Sequence, residues 1–430
     1  MIKIDVEPLE SLSGQPVSVR ATGLRPGSTA TIRIERTDKA GVKWASRAKF
    51  AAGGDGTVDP AVQPSLAGDY RGVDQAGLFW SMKPISKGKP SGAFGKSLAP
   101  DNLKASLEVD GKLVASRDFI RLHLARGIQR IEIREKGVLG TLFLPAGSNK
   151  RPAIIIFGGS EGGVFEPAAA QFAAHGYVTL ALSYFGMEGL PDDLEEIPIE
   201  TVERGLRWLK AHTRVKADSI GAWGASKGAE LALLSASLLP DIKVVVAKSA
   251  SAYAFESIGK QMGRVHKSSW TWRGKSIPFV PLEFNMRLLA SYMWARMTKK
   301  PWPTRPMYTN AIKCAKDIEA ATIKVENING PVLVTGGGRD GVWPSNEMAK
   351  RIVDRLKAKG HPYGDVALVY ADAGHQIASP YSPTTVNYLT APDGFVELLG
   401  GTPSANARAS SDSSPKINEF LAKALGHQDL

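Results

Sequence analysis

Cysteine is almost missing: Cys314 is the sole thiol among 430 residues. It cannot close an intramolecular disulfide or build a thiolate metal site, which excludes a stapled secreted scaffold and a paired-cysteine zinc module. Long apolar runs are missing too, and nothing approaches the roughly 20 residues that a membrane-spanning helix needs. Met1-Ile2-Lys3-Ile4-Asp5-Val6 alternates like a strand and lacks the apolar block of a signal peptide, so a cytoplasmic protein is the expectation. No HExxH or paired-Cys spacing occurs, and no metal or redox cofactor is expected. What is present is a globular composition, 43% hydrophobic and 22% charged with 9 Trp, 10 Tyr and 14 Phe, which rules out wholesale disorder. The length exceeds one compact core and points to two domains. Lys plus Arg (54) exceeds Asp plus Glu (42), and a net charge of +12 suggests an anionic partner.

Two rhythms divide the chain. Residues 1–125 read as short strands: Val17 and Val19 alternate with Ser18 and Arg20, Ile32 and Ile34 with Arg33 and Glu35. Asp110-Gly111 between two such runs is a type I′ hairpin signal. Strands broken by Gly, Pro and Asp turns, with no convincing helix, predict an all-β, immunoglobulin-like sandwich. Residues 86–102, rich in Gly, Pro, Ser and Lys, read as a surface loop. From residue 126 onward eight strands are expected: Ile128–Arg134, Val138–Leu144, Ala153–Phe157, Tyr177–Tyr184, Ile220–Ala225, Ile242–Ala247, Val332–Thr335 and Val366–Tyr370. Between them, Glu200–His212 and Lys227–Leu239 carry helical apolar spacing. Such alternation gives a mostly parallel sheet covered on both faces.

Gly-x-Ser-x-Gly occurs twice, as Gly224-Ala225-Ser226-Lys227-Gly228 and Gly158-Gly159-Ser160-Glu161-Gly162. A nucleophile elbow needs a strand, a sharp turn and then a helix. Ser226 sits between Ile220-Gly221-Ala222-Trp223 and a strong helix former, whereas Ser160 leads into more glycine. Strand counting agrees, because an α/β-hydrolase carries its nucleophile after the fifth of eight strands. Three expected strands follow Ser226 and five follow Ser160. Residues 158–163 then occupy the loop after strand three, where this fold supplies an oxyanion N–H. The acid and the histidine should follow in that order. Asp340 stands just beyond the seventh strand, and of seven histidines only His375 stands just beyond the eighth. Singly, these would read as a helix cap, a turn residue and a structural histidine. Together and in order they make a triad. The oxyanion donors are expected among the backbone N–H groups of Lys227, Gly159, Ser160 and Glu161.

The chain resembles the acyl-CoA thioesterase and bile acid-CoA:amino acid N-acyltransferase family over nearly its whole length. The similarity is carried by Trp223-Gly224-Ala225-Ser226-Lys227-Gly228-Ala229-Glu230-Leu231, Phe157-Gly158-Gly159, Tyr184-Phe185 with Leu190-Pro191, Asp340-Gly341-Val342-Trp343 and Ala373-Gly374-His375. Gly400-Gly401-Thr402-Pro403 with Ala405-Asn406-Ala407 also match, as do Ala67-Gly68-Asp69-Tyr70 and Gly77-Leu78-Phe79-Trp80-Ser81-Met82 in the N-terminal half. The resemblance implies an acyl-CoA thioester substrate. The transferase branch of that family uses cysteine as nucleophile, so Ser226 favours hydrolysis. Carboxylester or amide cleavage by the same triad, and acyl transfer to an amino acid, stand as alternatives. A catalytically dead binding module is disfavoured by the complete triad. The ending His427-Gln428-Asp429-Leu430 lacks the peroxisomal tripeptide of some animal relatives, and the chain looks bacterial.

Between strands six and seven lies an insertion at about 252–325, where this fold places a lid. Residues 260–305 hold Lys260, Arg264, Lys267, Arg273, Lys275, Arg287, Arg296, Lys299, Lys300 and Arg305 against Glu283 alone. Leu288-Leu289, Tyr292-Met293 and Met297 have helical spacing. One reading is a helix packed on the core with a solvated basic face. The other is an acyl pocket under a lid whose cations meet an anionic group, with Trp343, Trp270, Trp272, Arg273 and Trp294 as substrate contacts. A basic, Trp-bearing segment also fits an anionic membrane surface. Nucleic acid is not expected as a partner, since no recognised nucleic-acid module is present.

Overall fold

The computed structural model describes residues 1–88, 97–259, 266–391 and 393–427. Residues 89–96 of the loop expected at 86–102, the bases Lys260 and Arg264, and the last three residues lie outside that description. The chain forms two compact units. One comprises Met1–Ala125 with Ala378–Asn387 and Thr402–Ser414; the other comprises Arg126–Ile377, Tyr388–Gly401 and Pro415–Leu430.

The first unit is the all-β sandwich. Its larger sheet runs Glu10–Leu12, Lys112–Leu122, Asp101–Val109, Thr29–Thr37, Lys43–Ala51 and Ala67–Gly68, with Lys83–Pro84 also paired to Lys43–Ala51. A second, two-stranded sheet pairs Lys3–Glu7 with Ser18–Thr22. Alternation does its work here: Ile32 and Ile34 are fully buried, while Arg33 and Glu35, which alternate with them, are not. Asp110 and Gly111 both take positive φ, 50° and 73°, as the type I′ turn requires. One helical turn, Gly77–Trp80, departs from the expected helix-free pattern. The first of the two late segments is fixed to this unit by backbone and ring contacts. Thr384 N–H donates to the Trp80 carbonyl at 3.0 Å, and Tyr381 packs edge-on to Phe79 at 5.3 Å.

The second unit is an α/β-hydrolase. Its strands are β1 (Gln129–Glu135), β2 (Val138–Leu144), β3 (Arg151–Phe157), β4 (Val178–Leu182), β5 (Val215–Ala225), β6 (Ile242–Lys248), β7 (Val332–Gly337) and β8 (Val366–Tyr370). They lie in the order β1-β2-β4-β3-β5-β6-β7-β8. The β1–β2 and β2–β4 pairs are antiparallel and the others parallel. Ala153–Phe157 and Val244–Ala247 are completely buried, which is why these central strands read as unbroken apolar runs. The longer helices are α1 (Glu166–Ala174), α2 (Glu200–Ala211), α3 (Lys227–Leu238), α4 (Met286–Thr298), α5 (Arg305–Cys314), α6 (Ser345–Ala358) and α7 (Pro403–Leu425), the last contributing to both units. Two of these, α4 and α5, lie in the insertion between β6 and β7. So does a short antiparallel pair, Trp270–Trp272 with Lys275–Ser276, whose first strand runs parallel to Ile197–Pro198.

Candidate active site

The nucleophile position follows from how β5 meets α3. The strand ends at Ala225 and the helix starts at Lys227, leaving Ser226 alone to reverse the chain at φ 56° and ψ −125°. A non-glycine residue in that region is strained and persists only when its surroundings hold it. Those surroundings are the two glycines of the motif. A Cβ on Gly224 would stand 2.0 Å from the Gly228 carbonyl oxygen, and one on Gly228 would stand 2.1 Å from that of Gly158. Gly-x-Ser-x-Gly is thus a packing requirement: it lets α3 start against both β5 and the loop after β3. The elbow is also tied sideways, Ser226 N–H donating to the Lys248 carbonyl on β6 at 3.0 Å.

Strand ends then bring the three expected side chains together. His375 Nε2 lies 2.9 Å from Ser226 Oγ, and its Nδ1 lies 2.9 Å from Asp340 Oδ2. The Asp340 carboxylate is 1% exposed and saturated with donors. The N–H groups of Val342 and Trp343 reach Oδ1 at 2.8 and 3.2 Å, and Ser345 Oγ reaches Oδ2 at 2.5 Å. Burial by itself would lower the basicity of His375. The charge and hydrogen bond of Asp340 outweigh it, with Glu397 and Glu161 adding smaller contributions, and the imidazole is held above its usual value of 6.5.

Of the expected oxyanion donors, Lys227 N–H opens α3, where first-turn amides have no intrahelical acceptor. Gly159 stands against the nucleophile, for a Cβ there would lie 3.3 Å from Ser226 Cβ. Ser160 and Glu161 are exposed. The Glu161 side chain folds back so that Oε1 accepts from Gly159 N–H at 3.1 Å, placing a carboxylate on an amide beside Ser226. The Tyr184 hydroxyl steadies this loop, 2.7 Å from the Gly158 carbonyl and 3.0 Å from that of Gly159. Burial raises its pKa well above the usual range, so it remains a donor.

The lid-side expectations fare differently. Trp270 is fully buried and donates Nε1–H to Glu230 Oε1 at 2.6 Å, so it is a core residue with no face left for substrate. Trp343 is 1% exposed; its Nε1–H donates to the Ser249 carbonyl at 3.1 Å and its ring stands edge-on to His375 at 5.6 Å. It buttresses the histidine. Trp272 and Arg273 stack on one another at 4.4 Å and line a cavity of about 570 Å³ with Glu203, Lys210, Leu239 and Asp241. Leu239 and Asp241 lie just past the C-terminal end of α3, whereas Ser226 is at its N-terminus about 18 Å away along 12 residues. That position rules out contact with the reacting carbonyl. Trp294 is 56% exposed on α4. The basic surplus is also less local than residue counting implies. Lys267 pairs with Glu195 at 2.6 Å, Arg273 with Glu203 at 3.3 Å, Arg296 with Asp393 at 2.7 Å and Arg305 with Glu347 at 2.9 Å. Half of the segment's described bases meet acids from other parts of the chain.

Several site residues have roles that the sequence does not show. Glu230 Oε1 accepts from buried Lys227 Nζ at 2.7 Å, Trp270 Nε1 and Phe255 N–H, forming a charged knot beneath the first turn of α3. Ser249 Oγ–H bonds the His375 carbonyl, and Lys248 Nζ bonds the Ile377 carbonyl, so the end of β6 and the turn after it clamp the histidine loop. Burial pulls the Lys248 ammonium down to about 8. Glu397, raised by burial against the opposing effect of its hydrogen bond from Thr304 Oγ1 (2.8 Å), places further negative potential on His375. Among the described residues, no group of three or more His, Cys, Asp or Glu is arranged to hold a metal ion.

A 1-2-4-3-5-6-7-8 sheet with a hydrogen-bonded Ser–His–Asp row on the ends of β5, β8 and β7 defines a serine hydrolase of the α/β-hydrolase fold. Comparison with known proteins narrows the class. Residues 197–427 match the C-terminal domain model of BAAT and acyl-CoA thioester hydrolases, and residues 14–135 match the N-terminal region model of the same enzymes. The chain is 30% identical to mouse acyl-coenzyme A thioesterase 6 across 98% of its own length and 96% of the relative's. It is equally 30% identical to mouse acyl-coenzyme A amino acid N-acyltransferase 1, across 99% and 98%. Among solved structures, an esterase of Pyrococcus furiosus aligns with 15% identity and a TM-score of 0.41 over 70% of this chain and 93% of that one. The protein belongs to the acyl-CoA thioester hydrolase/BAAT family.

Proposed function

We propose that the protein hydrolyses acyl-CoA thioesters to a free acid and CoA, with Ser226 as nucleophile, His375 as general base and acid, and Asp340 as the group that orients the imidazole. The observation that carries this reading is the unbroken 2.9 Å and 2.9 Å relay from Ser226 Oγ through His375 to Asp340. His375 Nε2 takes the hydroxyl proton as Oγ attacks the thioester carbonyl. The resulting oxyanion accepts from Lys227 N–H and Gly159 N–H, each such donor typically contributing about 3 kcal/mol. Collapse breaks the C–S bond, and the proton on Nε2 goes to the leaving sulfur. Water then adds to the acyl-serine ester, giving its proton to Nε2, and expulsion of Oγ, which regains that proton, frees the acid. The site itself is indifferent to the leaving group; the thioester preference is supported by the family and by relatives named for acyl-CoA hydrolysis.

A panel of acyl-CoAs, p-nitrophenyl esters and simple amides, assayed with wild type and Ser226→Ala, tests the reading. Acyl-CoA turnover that disappears in a folded Ser226→Ala is expected. Ester turnover without acyl-CoA turnover overturns the thioesterase assignment, and an amide product on adding glycine or taurine replaces it with acyl transfer.

A further inference from the structure

Helix α4 is anchored on one side and apolar on the other. Leu288 and Ala295 are buried, the Tyr292 ring packs on Trp302 at 5.5 Å and Phe395 at 5.6 Å, and Arg296 pairs with Asp393. That fixes the helix to its unit and decides which face looks outward. The outward face carries Met286 (82% exposed), Leu289 (43%), Met293 (51%), Trp294 (56%) and Met297 (81%). These are five of the fifteen exposed large hydrophobic residues of the described chain, gathered in 13 residues, so chance scatter does not account for them. At 100° per residue they fall within an arc of about 140°, with Arg287 just beyond one edge and Arg296 just beyond the other. Past the C-terminal end stand exposed Lys299 and Lys300, the latter with its ammonium 5.0 Å over the Trp294 ring. From Phe284 to Lys316 the chain contains no acid.

We infer that this face docks on an anionic phospholipid surface, with α4 lying in the plane of the headgroups. A surface helix with Met, Leu and Trp on one side and cations along its borders matches the design of an interfacial helix. Trp favours the headgroup level, and each base near an anionic leaflet contributes attraction. A second copy of the chain fits the face less well. An isologous contact through α4 would bring Arg287, Lys299 and Lys300 of one protomer against the same residues of its partner, and the described residues of this helix offer no acid to meet them. The inference does not rest on the thioesterase reading, since it concerns a surface and not the triad.

The test uses the full chain and its Ser226→Ala variant, sedimented with vesicles of phosphatidylcholine alone or mixed with phosphatidylglycerol. Both proteins should pellet with the mixed vesicles, stay in solution with phosphatidylcholine alone, and be released by salt. The double variant Leu289→Gln/Met293→Gln should bind about tenfold more weakly while keeping vesicle-free turnover and elution volume. Arg287→Gln/Lys300→Gln should lose the preference for phosphatidylglycerol. Quenching of tryptophan fluorescence by brominated lipid should accompany binding of wild type. Undiminished pelleting of the apolar double variant overturns the inference. So does the absence of binding to either vesicle, or an elution shift in that variant showing that it had broken a dimer.

Discussion

Replacing Glu230 with Gln should destabilise the protein more than any other isosteric change near the site. The carboxylate is completely buried, and its Oε1 receives Lys227 Nζ, Trp270 Nε1 and Phe255 N–H at 2.7, 2.6 and 3.0 Å. Lys227 is itself 1% exposed. Burial is the larger influence on it and lowers its pKa, while Glu230 pushes back. A Gln side chain keeps an oxygen for the two neutral donors but abandons the ammonium, and leaving one buried charge unpaired costs about 3–5 kcal/mol. Adding Lys227→Met removes the orphan, so the double variant should recover most of that loss and leave a coupling energy of about 2–4 kcal/mol. The pH dependence has a definite sign. In Glu230→Gln the Lys227 pKa falls further below its unfolded value of about 10.4. Between those two values the unfolded state holds more protons, so stability rises with pH across that window. Urea unfolding followed by tryptophan fluorescence, at about pH 7 and about pH 9.5, measures both effects. The single variant's deficit should shrink at the higher pH, and the double variant's should not. Additive single costs at both pH values would refute the reasoning.

Asp340→Asn should lower kcat about 10⁴-fold, because the amide favours the wrong imidazole tautomer, and steady-state kinetics at saturating substrate read it directly. In wild type, kcat/KM should climb with pH through a midpoint above 6.5, since Nε2 accepts a proton only when neutral and Asp340 holds its pKa up. Removing the Asp340 charge leaves burial opposed only by the smaller contributions of Glu397 and Glu161, and should move that limb to lower pH. Glu161→Ala should raise kcat/KM about fivefold, the factor for releasing roughly 1 kcal/mol of hydrogen bonding at an occupied oxyanion donor; a decrease would mean that the carboxylate assists the chemistry. Gly228→Ala should cost about 100-fold or more in kcat, because its Cβ would meet the Gly158 carbonyl at 2.1 Å and push α3 off the oxyanion loop.

The sequence exposed whatever depends on local pattern. Gly224, Ser226 and Gly228 are legible because a sharp strand–helix turn accepts few residues, and Asp340 and His375 because strand counting assigns them to strand ends. The Asp110-Gly111 turn and the paired sets Ile32/Ile34 and Arg33/Glu35 announce themselves in the same way. Ser249, Ser345 and Glu397 were silent, and Glu230 stood out only as part of the resembling segment Trp223–Leu231, since their partners are brought to them by tertiary folding and their residue types are common everywhere. Trp270 and Trp343 were misread for a related reason. A large aromatic side chain signals burial, but whether it buries against substrate or beneath a catalytic group is decided by neighbours such as Glu230 and His375. Segment charge misled too, because Glu195, Glu203, Glu347 and Asp393, which balance four of the bases, lie outside the counted stretch.

The composition of the first unit has a consequence for synthesis. Its strands are made early, yet residues 378–387, which supply the Thr384 and Tyr381 contacts, and residues 402–414 are made only after the last strand of the hydrolase sheet. At ribosomal speeds of about 5–20 residues per second, roughly a quarter of a minute to a full minute separates the two. During that interval the nascent sandwich waits without the Tyr381 ring on Phe79 and without the Thr384 donor on the Trp80 carbonyl, while the whole hydrolase sheet is being completed. Cutting the gene at residue 125 would make that waiting state permanent. The N-terminal fragment is therefore a poor choice for separate expression, and chaperone demand should peak before residues 402–414 are made.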